Sequence, residues 1–554
     1  MTTTVPTKSS STSTIVTIDT NISQKLTNGA GSTNGKVSLN GKASTTDKTS
    51  TKVKLNKVEQ LKLKKNPLSL LDDIYQWADE GFEAIPPEYY DFFKWHGFFY
   101  RKQNPGTFML RMRISNGVMN TAQLRTVATL SRDYGRGVGD LTTRQNIQLR
   151  WITIEHIPTI IETLQAVGLG SQQTGMDNFR NVTGCPLTGL THHEQTATHQ
   201  LTTATALSLL GPDFANIPRK FNISMNGCRL DCTHAKTNDI GMTPATRRMG
   251  SRDVPGFNVV VGGHMGGKTP HLAIPLDAFV RPMQAPALCR AILTVFRDNG
   301  NRAVRGKGRM WYLIDQWGID RFRDEVMKVM GENLPSAGDC QLYTNPDPLV
   351  QDHVGVHQQI QDGLSSVGMV VPTGRIKAEQ LFALSDLADL YGTREIRLTN
   401  DQNVIIPNVP NEKVAALLDE PLLQEWSPTP SGVIRGLVTC TGIDYCHFAL
   451  NDTKGLSLDI AHRLEERLSD KDKMVRLNVS GCVHACGRHR ASELGMEATR
   501  LRQDGKVIDG FNLFAGGSLE GATLGELTHK KATIDETVDL LASQISTIYK
   551  ERVS

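Results

Sequence analysis

The chain has 554 residues, 39% hydrophobic and 21% charged, which at about 150 residues per domain suits three or four domains and excludes collagen, coiled coil and a wholly disordered chain. The longest apolar runs, such as Phe257 to Gly262 and Val404 to Ile406, are far short of the roughly 18 to 20 residues of a membrane-spanning helix, so a soluble protein without a membrane span is expected. The net charge of +4 misleads, because the first 65 residues hold 11 Lys and no Arg against Asp19, Asp47 and Glu59; the rest is net acidic, and a nucleic-acid binder should be basic over its folded part.

Residues 1–56 read as a disordered extension, since 22 of the first 50 are Ser or Thr with no apolar periodicity, too little to offset the ordering entropy. No secretory n-region or h-region is visible. The Ser/Thr-rich, acid-poor composition leaves a plastid transit peptide open beside a plain extension, so the expected location is the bacterial cytoplasm or the plastid stroma. From about Val58 the pattern is globular, and it repeats. Gly117 to Leu124, Tyr134-Gly and Leu141 to Leu149 recur 257 residues later as Gly374 to Leu381, Tyr391-Gly and Leu398 to Ile406. Asn226-Gly-Cys228 to Met242 matches Ser480-Gly-Cys482 to Met496 at an offset of 254. Each copy reads as strand, amphipathic helix (121–134; 378–391), strand, second helix (156–167; 411–418), then a Cys-bearing α/β segment. The expected fold is therefore α+β, internally duplicated about a pseudo-two-fold axis, with a cleft between the copies for a large cofactor.

The copies differ in chemistry. Cys440-x5-Cys446 and Cys482-x3-Cys486 are four potential thiolate ligands in two tight pairs, flanked by Gly442, Gly481 and Gly487. Two pairs suit a cubane iron-sulfur cluster. A structural zinc site, usually built from Cys-x2-4-Cys pairs, and four incidental cysteines stay open on spacing alone. The first copy has only Cys185, Cys228 and Cys232, with no partner for Cys446, so a duplication relic or buried thiols are expected there. Residues 101–150 carry nine Lys or Arg against Asp133 and Asp140. Arg111 and Arg113 alternate with Met109, Met112 and Ile114 on a strand-like run, which puts both on one face.

Thr439-Cys-Thr-Gly-Ile-Asp-Tyr-Cys446 followed by Ser480-Gly-Cys-Val-His-Ala-Cys-Gly487 resembles the signature of the siroheme-containing nitrite and sulfite reductases. Similarity to the ferredoxin-dependent nitrite reductases runs over roughly residues 57 to 550, through Phe108-Met-Leu-Arg-Met-Arg113, Thr142-Thr-Arg-Gln-Asn146, Gly175-Met-Asp-Asn-Phe-Arg-Asn181, Pro218-Arg-Lys-Phe-Asn222 and Arg394-Glu-Ile-Arg-Leu-Thr399. The resemblance implies that Cys440, Cys446, Cys482 and Cys486 hold a [4Fe-4S] cluster and that Cys486 is shared with the siroheme iron. It implies Arg111, Arg180, Lys220 and Asn222 as the substrate group, and Arg144 as a contact to the siroheme carboxylates, with Arg113 beside it. Lys220-Phe221-Asn222 resembles the nitrite reductases, where the sulfite reductases resemble Lys-x-Lys. One departure is Val483-His484, where the family usually has Pro-Asn.

The implied division is 1–56 extension, 57–172 first ferredoxin-like half-domain, 173–345 first siroheme-pocket α/β domain, 346–428 second half-domain and 429–554 iron-sulfur/siroheme domain. The implied activity is six-electron reduction of nitrite to ammonium, with assimilatory sulfite reduction or a noncatalytic iron-sulfur or zinc scaffold as alternatives. No Gly-x-Gly-x-x-Gly follows a strand, so no nicotinamide or flavin domain is visible and electrons are expected from reduced ferredoxin in a transient, electrostatic complex. A monomer is expected. His192-His193, His447, His484 and His489 match no metal motif. Gly262-Gly-His-Met-Gly-Gly267 reads as a turn where backbone approaches something bulky, siroheme being one candidate.

Overall fold

In the computed structural model, residues 54–344, 352–469, 475–518 and 523–553 are described; residues 1–53 of the expected extension lie outside them. Asn56 belongs to the folded part, since its side chain accepts from the backbone N–H of Val58 and Glu59 and caps the helix Lys57–Lys64.

The two copies fold alike from the same local signals. Asn120 Oδ1 accepts from Gln123 N at 2.8 Å while Gln123 Oε1 accepts from Asn120 N at 3.0 Å, a capping box that starts the helix Thr121–Tyr134, whose Leu124, Val127, Ala128 and Leu130 are buried. In the second copy Gln380 Oε1 accepts from Lys377 N at 2.8 Å to start Ala378–Tyr391, burying Leu381, Leu384, Leu387 and Ala388. Just upstream, Asn116 and Thr373 both take φ near +55°, and the glycines after them are left-handed as well (Gly117 φ 69, Gly374 φ 67). A Cβ on Gly117 would lie 2.6 Å from the Leu398 carbonyl oxygen, so this tight connection requires glycine.

The first copy supplies β1 (Phe98–Tyr100), β2 (Thr107–Arg111), β3 (Val118–Asn120), β4 (Val138–Leu141) and β5 (Ile147–Thr153). Its α/β segment supplies β6 (Phe179–Gly184), β7 (Phe221–Met225), β8 (Ile240–Met249), β9 (Arg252–Val261), β10 (Ile274–Val280) and the short β11 (Asp339–Cys340). The second copy has β12 (Gly355–Gln358), β13 (Leu364–Met369), β14 (Arg375–Lys377), β15 (Glu395–Leu398) and β16 (Val404–Pro410), then β17 (Leu437–Thr439), β18 (Leu477–Ser480), β19 (Leu494–Gln503), β20 (Lys506–Ala515) and β21 (Glu526–Ala532).

Each half-domain sheet is completed by a strand of the other copy. One runs β1-β2-β5-β4-β14 and the other β12-β13-β16-β15-β3, with Ile376 opposite Gly139 and Ile396 opposite Met119. The two half-domains share one core, from Leu70 to Leu169 and from Val367 to Trp426. The α/β segments have separate cores and one common topology: β6, β7 and β8 are parallel and β9 and β10 antiparallel, as are β17, β18, β19 and then β20, β21. Two glutamines with positive φ, Gln145 and Gln402, tie the halves together. Gln145 donates to the Leu398 carbonyl oxygen at 3.1 Å, and Gln402 to that of Leu141 at 2.8 Å. Their Oε1 atoms accept from Gly184 N and Thr439 N, fastening each half-domain to the α/β sheet of its own copy.

Candidate cofactor and active site

Cys440 follows β17, while Cys482 and Cys486 follow β18. The two parallel strands therefore deliver three thiols at their carboxyl ends, where open α/β sheets place ligands, and the loop after Cys440 returns Cys446. Cys440 Sγ accepts from Gly481 N at 3.0 Å. A Cβ on Gly481 would stand 2.8 Å from that of Ala449 and 3.3 Å from Cys440 Sγ, so the turn beside the thiol has no room for a side chain. Burial pushes the Cys440 thiol up, with the Cys486 charge adding to it; Cys482 is pushed up to about 12, first by burial and then by the other three cysteines. Such a group becomes thiolate only with a cation among it. Among the described residues no three of these sulfurs lie within 4.8 Å of one another, whereas a tetrahedral zinc with bonds of about 2.3 Å holds its sulfurs roughly 3.8 Å apart. The quartet fits a multi-atom iron-sulfur cluster and is too wide for one zinc ion.

Cys486, the exposed member, faces a cavity lined by Thr143, Arg144, Lys220, Asn222, Arg309, Asn400, His484 and Arg488. Thr143 Oγ1 donates to the Cys486 carbonyl oxygen at 3.1 Å, which pins the turn of the first copy to the cysteine of the second. Two of the cations have acidic partners: Arg309 with Asp239 at 2.7 Å, and Arg488 with Asp401 at 3.2 Å. Arg144 and Lys220 have no carboxylate within 4 Å among the described residues. Burial lowers both, with Arg309 adding repulsion in each case and Cys486 opposing it. Both side chains are half-buried, and a charge partly withdrawn from water without a counter-ion is costly, so a polyanion in this cavity would relieve it. The residues fit a carboxylate-bearing macrocycle against Cys486.

Two family models divide the chain between them. The nitrite and sulphite reductase 4Fe-4S domain matches residues 175–334 and 432–552, and the nitrite/sulfite reductase ferredoxin-like half domain matches 100–167 and 357–423. The chain belongs to the nitrite and sulphite reductase family. It is 42% identical to the ferredoxin–nitrite reductase of Synechococcus elongatus over 88% of this chain and 95% of that one. It is 38% identical to the chloroplastic ferredoxin–nitrite reductase of Zea mays, over 90% of this chain and 91% of that one. The solved structure of Mycobacterium tuberculosis NirA superposes with a TM-score of 0.81 at 29% identity, covering 88% of this chain and 92% of that one.

Against this family frame, the structure gathers Arg144, Lys220, Asn222 and Cys486 at one cavity. Arg111 and Arg180 stand beside it: burial and then Arg144 press Arg111 down to about 9, and Arg180 is lowered by burial, then by Arg111 and Arg144. Arg111 lies over the Phe99 ring at 4.4 Å and donates to the Thr174 carbonyl oxygen at 3.2 Å. Arg113 is not brought into the cavity. The regular strand ends at Arg111, so the alternation does not continue, and Arg113 stacks on Phe179 at 4.0 Å and donates to the carbonyl oxygens of Arg180 and Gln173. It borders a different cavity with Gln165, Gly170 and Leu207.

The glycine-rich turn packs against the chain itself, and its Met265 and Gly266 also line the Cys486 cavity. Gly267 N donates to the Val483 carbonyl oxygen at 2.9 Å, and a Cβ on Gly266 would lie 2.9 Å from the His484 carbonyl oxygen. His484 Nδ1 is 3.4 Å from Cys482 Sγ and its ring lies 4.6 Å from that of Phe448. Sequence reasoning missed Arg309 and Arg488. Arg488 could have been found as a cation two residues beyond Cys486; Arg309, from a helix start far along the chain, carries no such signal.

Proposed function

We infer that the chain is a ferredoxin-dependent nitrite reductase, taking nitrite to ammonium with six electrons from reduced ferredoxin. The observation that carries the reading is the pair of half-buried cations with no carboxylate within 4 Å among the described residues, Arg144 and Lys220, converging on Cys486 beside Asn222. Siroheme and the [4Fe-4S] cluster, when bound, supply the one-electron steps and the iron that holds the substrate. Cys440, Cys446, Cys482 and Cys486 would hold the cluster, and Cys486, open to the cavity, is the residue we assign as shared with the macrocycle iron. Arg144 would receive macrocycle carboxylates, for which a guanidinium is suited by its fixed fork of donors.

The substrate group we propose is Arg111, Arg180, Lys220 and Asn222. Arginines 111 and 180 offer charge to the free oxygens of the anion from a water-poor site, where it counts most. Lys220 Nζ is made acidic by burial and by Arg309, which lets it release a proton as N–O bonds break. Arg113 contributes from behind, with Nη1 donating to the Arg180 carbonyl oxygen at 3.0 Å. Asn222 places an amide where a second lysine would add charge, which suits a monoanion with two oxygens over a dianion with three; this disfavours sulfite. A noncatalytic scaffold would have no use for uncompensated cations beside Cys486.

A monomer is the proposed state, since one chain supplies every residue named. The proposed division of the chain stays at residues 172, 345 and 428, and the proposed location is cytoplasm or plastid stroma. The direct test supplies purified, cofactor-loaded protein with reduced ferredoxin or a reduced viologen and measures ammonium from nitrite and sulfide from sulfite. Faster ammonium formation is expected, and faster sulfide formation would overturn the substrate assignment. Cys486→Ser is expected to lose haem absorbance and activity together, and full activity in that variant would refute the shared thiolate.

A further inference from the structure

The first copy lacks a cysteine equivalent to Cys446, yet its three cysteines are not scattered. Cys185 follows β6, and Cys228 and Cys232 follow β7, as Cys440, Cys482 and Cys486 follow β17 and β18. All three are buried. Tertiary structure then adds a residue that no spacing would suggest. His353 enters from just before β12, and Cys185, Cys232 and His353 have ligand atoms that all lie within 4.8 Å of one another. Cys228 and Cys185 are within hydrogen-bonding reach. His353 Nε2 is buried with no hydrogen-bond partner, in a residue 4% exposed.

We propose that Cys185, Cys232 and His353, with Cys228 as fourth ligand, form a second metal site that holds one zinc ion. Three sulfurs and one imidazole nitrogen are a common structural zinc set. The ligand atoms of Cys185, Cys232 and His353 lie within 4.8 Å of one another, about 1 Å more than the roughly 3.8 Å between sulfurs on zinc, and this trio separates the site from the wide Cys440 quartet; Cys228, in hydrogen-bonding reach of Cys185, would close in as the ion binds. The ion would release a proton from each thiol that it binds.

The surroundings are those of a structural site. Leu187, Leu190, Leu230 and Ile405 wrap the thiols in apolar groups. Cys232 Sγ also approaches Asn226 Oδ1 at 3.8 Å, a polar neighbour of the kind that orients a ligand. His353 is held rigidly, with φ +61°. Its carbonyl oxygen sits where a Cβ on Gly368 would come within 1.8 Å, and the preceding Asp352 accepts from Arg435 Nη2 at 2.9 Å and from Val354 N at 2.9 Å. A cavity lined by His192, His193, His353 and His357 gives an ion a route from solvent. The site would join the α/β sheet of the first copy to the half-domain of the second, which makes its role a clasp between the copies.

The test uses full-length holoprotein and measures zinc and iron together. About one zinc per chain is expected beside the cluster and haem iron. Cys232→Ser should lose at least about tenfold of the zinc with haem and cluster absorbance unchanged. Protein grown with Co2+ in place of zinc should show a thiolate-to-cobalt charge-transfer band that Cys232→Ser lacks; His353→Gln should keep that band and alter the ligand-field bands, and it serves if the cysteine variant fails to fold. Equal zinc in wild type and variants, no cobalt spectrum in the wild type, or a disulfide among Cys185, Cys228 and Cys232 would each overturn the proposal.

Discussion

Asn222 sits in the cavity with its Oδ1 buried and unpartnered, and its backbone N–H donates to Asp239 Oδ2 at 2.8 Å. Because the backbone is held independently of the side chain, Asn222→Lys is expected to place a cation beside Lys220 without moving the strand. The sulfite-to-nitrite ratio of kcat/KM should rise about tenfold, a change of about 1.4 kcal/mol, and an unchanged ratio would remove the discriminator. His264 gives a pH prediction. Burial, and then Arg309, pushes its imidazole down to about 3, below its ordinary value near 6.5. Between those values the unfolded chain binds a proton that the folded chain does not, so stability rises with pH over that window and falls as pH drops through it. His264→Gln should flatten this limb in denaturant midpoints measured from pH 4 to 7. The lysine motif and the cysteines were legible in sequence because each is a short pattern. The partnering of Arg309 with Asp239, which leaves Arg144 and Lys220 as the cations without counter-ions, was not.

Between elements, the decisive contacts are buried charges at the junction of the copies. Asp140 on β4 accepts from Arg150 at 2.7 Å and from Arg375 on the exchanged strand β14 at 2.7 Å, with Lys454 at 3.6 Å. Burial alone would raise this carboxyl, but Lys454, Arg150 and Arg375 together hold it well below the ordinary range. Its contribution is present above the ordinary carboxylate range and is lost as pH falls toward the folded value. Asp140→Ala leaves two buried cations, Arg150 and Lys454, without a carboxylate and is expected to cost about 3 to 5 kcal/mol, measured by chemical denaturation. Arg125→Ala, which breaks exposed pairs with Asp386 and Asp389, should cost about 0 to 1 kcal/mol. The helices at 121–134 and 378–391 were readable to the residue, because capping glutamines and apolar spacing are local. The exchange of β3 and β14 was not, since a three-residue strand has the same pattern whichever sheet receives it.

For the whole molecule, the exchange makes each half-domain sheet dependent on the other copy, and one core spans both. Residues 352–553 produced alone are expected to aggregate, because β15 loses β3 and exposes an unpaired edge, while Gln402 loses the Leu141 carbonyl oxygen. Co-production with residues 54–344 should restore a soluble complex, detectable by size-exclusion chromatography. A soluble, folded isolated half would contradict this dependence. The arrangement also accounts for the site: the cations of the first copy and the thiols of the second meet only when both sheets are complete.

The sequence by itself determined the duplication, the four cysteines, the α+β class and the family resemblance, because each rests on residue identities at fixed short spacings that local geometry carries through. Tertiary structure decided which cations have no acid beside them, that Arg113 turns away from Arg111, which strand completes which sheet, and that His353 reaches Cys185 and Cys232 of the other copy. Those depend on distances between residues far apart in the chain, from 67 positions for Arg113 and Arg180 to 277 for Met119 and Ile396, which packing and desolvation set and no local pattern records.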